Sequence, residues 1–160
     1  ELCFVGEAPG AQEDEEGEPF VGRSGDVLDE ALRDAGLSRA DIRIANCVRC
    51  RPPDNRDPHV DELSNCRGYL EAELALLDPA LVVTLGKVPA EHLLGRDVAV
   101  TAEAGETARA TLGGADRLIM ICLHPAATLY DGSTRDLFDR TVASAADYVS
   151  AGGQQDLNDF

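Results

Sequence analysis

Four short apolar runs punctuate the chain: Leu2 to Val5, Ile42 to Ala45, Leu81 to Leu85 and Leu118 to Leu123. Each is too short for a buried helix and reads as a buried strand. Between them the apolar positions recur at helical spacing. Val27, Leu28, Ala31, Leu32 and Ala35 form one such stripe, stopped by Gly36; Leu63, Tyr69, Leu70, Leu74 and Leu77 form a second, stopped by Asp78-Pro79. A third helix is expected from Val88 to Leu94 before Gly95, and a fourth from about Arg135 to Val149 before Gly152-Gly153. Strands alternating with helices predict an α/β fold, with a four-stranded parallel sheet covered on both faces. No repeat or linker interrupts the pattern, so one domain over residues 1–151 is expected, followed by a loose tail at 152–160.

In a parallel sheet the turns after the strands emerge together at the carboxyl edge, where open α/β folds hold their ligands. Here those turns are Gly6-Glu7-Ala8-Pro9-Gly10, then Asn46-Cys47-Val48-Arg49-Cys50-Arg51-Pro52-Pro53, then Gly86-Lys87, then His124-Pro125-Ala126-Ala127. One cleft is therefore expected to gather Glu7, Asn46 and His124. A carboxylate, an amide and an imidazole suit hydrolysis, with Glu7 holding water and His124 stabilising a leaving anion. The planar amide of Asn46 complements a nucleobase edge, and Phe20, in Gly17-Glu18-Pro19-Phe20, suits stacking on a base. Taken one at a time, these residues could equally be a surface acid, a turn former, a turn cap and a core plug.

Composition changes this picture in two ways. The 160 residues include 30 acids against 14 bases, a net charge of −16, and Lys87 is the only lysine. A surface of this kind suits concentrated salt, which screens self-repulsion within roughly 3 Å at 1 M, so the cytoplasm of a salt-loving cell is the expected setting. Yet Arg43, Arg49, Arg51, Arg56 and Arg67 share the stretch 43–67 with only four acids. Such an arginine-rich window in an acidic shell is what a phosphate-binding face would look like. No apolar run approaches the roughly 20 residues of a membrane span, and no basic leader precedes a short apolar stretch. The chain opens inside a strand, without a methionine, so its natural start is expected further upstream.

The turn sequences, together with Pro19-Phe20-Val21-Gly22-Arg23-Ser24-Gly25 and Asn55-Arg56-Asp57-Pro58, resemble the family 4 uracil-DNA glycosylases, the iron-sulfur class. Agreement at four separated motifs, in order, is far more specific than a lone glycine-rich loop. The resemblance implies a three-layer α/β/α fold and hydrolysis of the N-glycosidic bond of deoxyuridine in DNA, single-stranded or in U·G and U·A pairs, by a monomer. Carried over by position, Glu7 would place the water, Phe20 stack on the extruded uracil, Asn46 bond its edge and His124 favour its departure. Gly6, Ala8 and, more weakly, Glu13 would support the pocket. Alanine at position 8 stands where other classes carry aspartate. Arg49, Arg51 and Arg56 would grip phosphates, and Leu129 would wedge into the base stack, although Thr128 takes the place where leucine is expected.

Five cysteines without a secretion signal argue against a disulfide framework. Cys3 and Cys122 fall within strands and read as core thiols. Cys50 and Cys66 match the second ligand pair of a [4Fe-4S] cluster in the resembled family, the first pair being expected upstream of residue 1. The residues themselves permit a competitor, a zinc site from Cys47, Cys50, Cys66 and His59. Two other functions stay open: a non-catalytic nucleic-acid-binding homologue, and a glycosylase for another deaminated base. A nucleotide site at Gly6 to Gly10 is disfavoured, because that stretch lacks the spacing and lysine of a phosphate loop.

Overall fold

In the computed structural model, which describes residues 1–152, the chain folds as β1 (Leu2–Gly6), α1 (Ala11–Glu16), α2 (Gly22–Asp34), β2 (Ile42–Asn46), α3 (Val60–Leu77), β3 (Leu81–Leu85), α4 (Lys87–Leu94), α5 (Val100–Glu103), β4 (Thr107–Leu112), β5 (Ala115–Cys122) and α6 (Gly132–Ser150). Most of the expected tail, from residue 153, lies outside the described residues. The sheet has five strands in the order β2-β1-β3-β5-β4, not the expected four. Four of them run parallel, and β4 is an antiparallel edge strand hairpinned to β5.

That hairpin turns on Gly113-Gly114, both at positive φ (62° and 79°), the geometry of a tight two-residue loop. Exposure alternates along Thr107–Leu112, so β4 buries little and leaves no apolar run to be read. The hairpin also carries β5 back to Ala115, three residues before the expected start.

Successive residues of β1 point to opposite faces and so divide the core. Leu2 and Phe4 join Leu28, Leu32, Phe138 and Val142 beneath α2 and α6, whereas Cys3 and Val5 join Leu70, Leu74 and Leu93 beneath α3 and α4. The result is the expected α/β/α sandwich. α6 begins three residues earlier than its apolar pattern suggests, because the Asp131 carboxylate accepts from Ser133 N (2.9 Å) and Thr134 N (3.5 Å) and caps it there. No helix among the described residues is long and apolar enough to cross a membrane.

Strand order reverses at β1, which pairs with β2 on one side and β3 on the other. The carboxyl ends of these strands flank the crevice where such sheets bind ligands. Facing it is the loop between α1 and α2, residues 17–21, which carries Phe20 and is held down by close packing. A Cβ on Gly25 would lie 1.9 Å from the Phe20 carbonyl oxygen. Gly25→Ala is therefore expected to destabilise the fold by about 1–3 kcal/mol, the usual result of overpacking, read as a lower urea midpoint with unchanged slope.

Candidate active site

Register pairs Gly6 with Asn46 across β1 and β2. The absence of a side chain at Gly6 leaves space that Asn46 and Phe20 fill. A Cβ there would lie 2.7 Å from Asn46 Oδ1 and 2.9 Å from the Phe20 ring. Asn46 Oδ1 is buried and has no hydrogen-bond partner. A buried carbonyl oxygen left unpaired costs about 1–3 kcal/mol, so the site carries an acceptor awaiting a donor.

Phe20 supplies the flat surface beside it. Its backbone is in the left-handed region (φ 49°), rare for an aromatic residue and worth about 1–3 kcal/mol of strain. The conformation is held by Arg39, which donates to the carbonyl oxygens of Pro19 (2.8 Å) and Phe20 and pairs with Asp29. The sequence gives no hint of this clamp, because Arg39 lies far along the chain in a short turn before β2.

His124 completes the pocket, its ring centroid 5.7 Å from that of Phe20 and tilted by 40°. Its Nδ1 accepts from Ala126 N at 3.0 Å, so the ring proton sits on Nε2. Burial pushes the imidazole pKa down, so His124 is a neutral N–H donor at physiological pH. A cavity of about 50 Å³ is lined by Ala8, Glu13, Phe20, Ser24, Asn46 and His124. Glu13 and Asn46 also line an adjoining groove of about 380 Å³ with Pro9, Arg43, Arg49 and Glu73.

Glu7 lies off the small cavity. Its half-buried carboxyl bonds to that of Asp57, and burial, then the charge of Asp57, raises its pKa from 4.5 to about 7. Asp57 is a neighbour that strand and turn patterns do not announce.

The arginine window is largely self-neutralised. Arg49 (2.8 Å) and Arg43 (3.3 Å) both pair with Glu73, and Arg56 grips Glu62 through two bonds (2.6 and 3.3 Å). Arg51 bonds only the amide oxygen of Asn55 (2.7 Å). Leu129 does not project outward; it packs partly buried against the core, and the exposed side chain of that turn is Tyr130.

Among the cysteines, Cys3 and Cys122 are buried core thiols, as expected. Cys47 is also fully buried, and desolvation pushes its thiol to about 12. It is packed as a core residue, and His59 is the N-cap of α3, where its backbone N–H bonds Glu62 (2.8 Å). The competing zinc set does not assemble: no group of three or more donors able to hold a metal occurs among the described residues. Cys50 is exposed and Cys66 partly exposed, both with free thiols.

The family model for the uracil DNA glycosylase superfamily matches residues 1–146. A type-4 uracil-DNA glycosylase of Pyrobaculum aerophilum is 39% identical over 146 residues, covering 89% of this chain and 74% of that protein. One from Archaeoglobus fulgidus is 37% identical over 143 residues (87% and 72%), and one from Saccharolobus solfataricus 35% over 156 residues (94% and 72%).

The Glu7 carboxyl holds its proton more tightly folded than unfolded, where it titrates near 4.5. Its ionisation therefore removes stability as pH rises from about 4.5 to 7, and the full penalty applies above 7. Glu7→Gln is expected to melt at a higher temperature than the parent at pH 8 and to match it near pH 4.5, as followed by circular dichroism.

Proposed function

Because the chain belongs to the uracil DNA glycosylase superfamily and sides with its type-4 members, we propose that it hydrolyses the N-glycosidic bond of deoxyuridine in DNA, releasing uracil and leaving an abasic site. The observation that supports this reading best is the buried, unpartnered Oδ1 of Asn46 against the Phe20 ring. Uracil offers an N3–H donor beside its O4 acceptor, the complement of a carboxamide. Cytosine offers the opposite pattern at these two atoms and would require the amide to turn over. Sites built to bond one polar edge reject its mismatched counterpart strongly, because their own buried groups are then left unpaired.

In this reading the extruded base stacks on Phe20, and Gly6, Ala8 and Glu13 shape its slot. Water attacks C1′ with Glu7 as positioning base. The new C1′–O bond forms as the C1′–N1 bond breaks, the water proton passes to the Glu7 carboxylate, and the electron pair leaves with the base. His124 Nε2–H donates to a base carbonyl oxygen and stabilises the departing anion. A neutral imidazole is suited to this role, since it strengthens its bond as charge develops on the base. Removing the base from the stack costs a few kcal/mol, least in single strands and mismatches, which favours U·G pairs and unpaired uracil. All the side chains assigned to the reaction belong to one copy, which supports a monomer.

Cys50 and Cys66 have the soft, accessible thiols that a [4Fe-4S] cluster takes as ligands, and they would supply two of its four. Such a cluster would order the connection between β2 and α3. The hydrolysis uses only the side chains named above. The acidic surface suits a cytoplasm rich in salt, where the DNA substrate would be met.

Single-turnover excision from uracil-containing oligonucleotides tests the reading. Glu7→Ala and His124→Ala are each expected to slow excision by about 10²–10⁴-fold while DNA binding survives. Unchanged rates in both variants would remove the assigned roles, and absence of uracil release by the parent protein would remove the function. In the parent, the rate is expected to rise with pH through about 7, as Glu7 ionises.

A further inference from the structure

Among the residues that line the small cavity, Phe20 alone is a non-glycine residue in the left-handed region, at φ 49°. The fold does not require this. A loop joining two helices can be built from ordinary conformations, and strain of this kind collects where a side chain has to be held in a working position. Were φ to relax into the negative region, the ring would swing by roughly 100° about the N–Cα bond. Its contacts with the space over Gly6 and with His124 would then be lost.

The polar hold on this conformation comes from one residue outside the pocket. Arg39 donates from Nη1 to Pro19 O (2.8 Å), from Nη2 to Phe20 O and from Nε to the Asp29 carboxylate. The Phe20 carbonyl is thereby caught between the guanidinium and Gly25, where a Cβ would lie 1.9 Å from that oxygen and 3.2 Å from Arg39 Nη2. Arg39 is itself fixed, because it opens the turn Arg39–Asp41, in which the Asp41 carboxylate accepts from Ser38 N (2.8 Å) and Ser38 Oγ (3.1 Å).

Three nitrogens of one rigid plane thus serve three acceptors at once, which the single ammonium of a lysine on its flexible stem cannot reproduce. Arg39 lines neither the small cavity nor the adjoining groove, so it has no route to a bound base except through the loop it grips.

We propose that Arg39 is a positioning residue for the hydrolysis: it fixes the Phe20 ring as one wall of the base slot and acts on the reaction only through that ring. This inference rests on the reading of the pocket as a uracil site. It separates two tasks within the protein's arginines, since Arg39 would govern how the base is seated and not how strongly the DNA backbone is held.

The test uses Arg39→Lys, which keeps the charge and loses the fork. Fluorine NMR of protein carrying para-fluorophenylalanine reports on four phenylalanines, and Phe20→Leu identifies the resonance of Phe20. In Arg39→Lys that resonance is expected to move, while those of the fully buried Phe4 and Phe138 stay in place. Single-turnover uracil release is expected to slow by up to about 100-fold, the effect of a displacement of about 1 Å at a reacting centre. Affinity for an oligonucleotide bearing an abasic-site analogue, which leaves the base slot empty, should match the parent. In the Phe20→Leu background, Arg39→Lys should slow release no further. Arg117→Lys serves as the control for general destabilisation, since buried Arg117 pairs with Asp78 near the amino ends of β3 and β5, away from the pocket. Should Arg39→Lys not fold, Asp29→Asn, which deprives the guanidinium of its carboxylate, carries the same readings. An unmoved Phe20 resonance would overturn the proposal, as would losses from Arg39→Lys and Phe20→Leu that multiply, or an equal slowing in Arg117→Lys. Failure of the parent to release uracil would instead strike the functional reading, while the fluorine comparison, which needs no substrate, would still measure the hold on the ring.

Discussion

The pocket depends on a single steric exchange. Gly6 and Asn46 lie side by side on adjacent parallel strands, and the volume a Cβ would take at position 6 is used by the Asn46 carbonyl oxygen and the Phe20 ring. Both a polar edge and a flat apolar face are thereby brought against the sheet backbone. Everything added around them, His124 with its proton fixed on Nε2, Ala8 and Glu13, closes the space in which a base would lie. The unpaired oxygen is unfavourable in the free protein, and a ligand with a matching N–H removes that penalty.

The electrostatics of the site run against the composition of the surface. The chain is strongly acidic, yet burial leaves the His124 side chain uncharged, and Glu7 and Asp57 share a neighbourhood in which ionising both is disfavoured. The arginines near the pocket serve mainly internal partners. Arg39 holds the Phe20 loop, Arg56 fastens the entry to α3 through Glu62, and Arg43 and Arg49 converge on Glu73. Guanidinium groups act here as fasteners between segments, leaving Arg23 and Arg51 for contact with solvent or ligand.

What the sequence made legible follows from how local each feature is. β1 and β3 are continuous apolar runs because both faces of the sheet are covered there, whereas β2 lies at the edge, exposes Arg43 and buries only Ala45; Asn46 and His124 were identifiable because each follows an apolar run. β4 escaped notice because it is a half-exposed edge strand, although the Gly113-Gly114 pair before β5 was a readable hairpin signal. α1 has no buried residue and so no periodicity to detect. The Arg39 clamp and the Asp57 contact with Glu7 depend on chain segments meeting in space, and no spacing rule reaches them. The same holds for Arg49, whose neutralising partner lies 24 residues away, and for Leu129, where a shift of one position in a turn exchanges core for solvent.

The strained backbone at Phe20 carries a consequence for how competence is acquired. That conformation is held by Arg39, nineteen residues further on, which grips the carbonyl from outside the loop, and by the close packing of Gly25 against the same carbonyl. Until the segment preceding β2 has docked, the ring has no reason to stand where a base could lie against it, and local opening there would release it. Nascent or partly opened chains would thus be inert toward the genome they encounter, and the capacity to cut would appear only in the finished molecule.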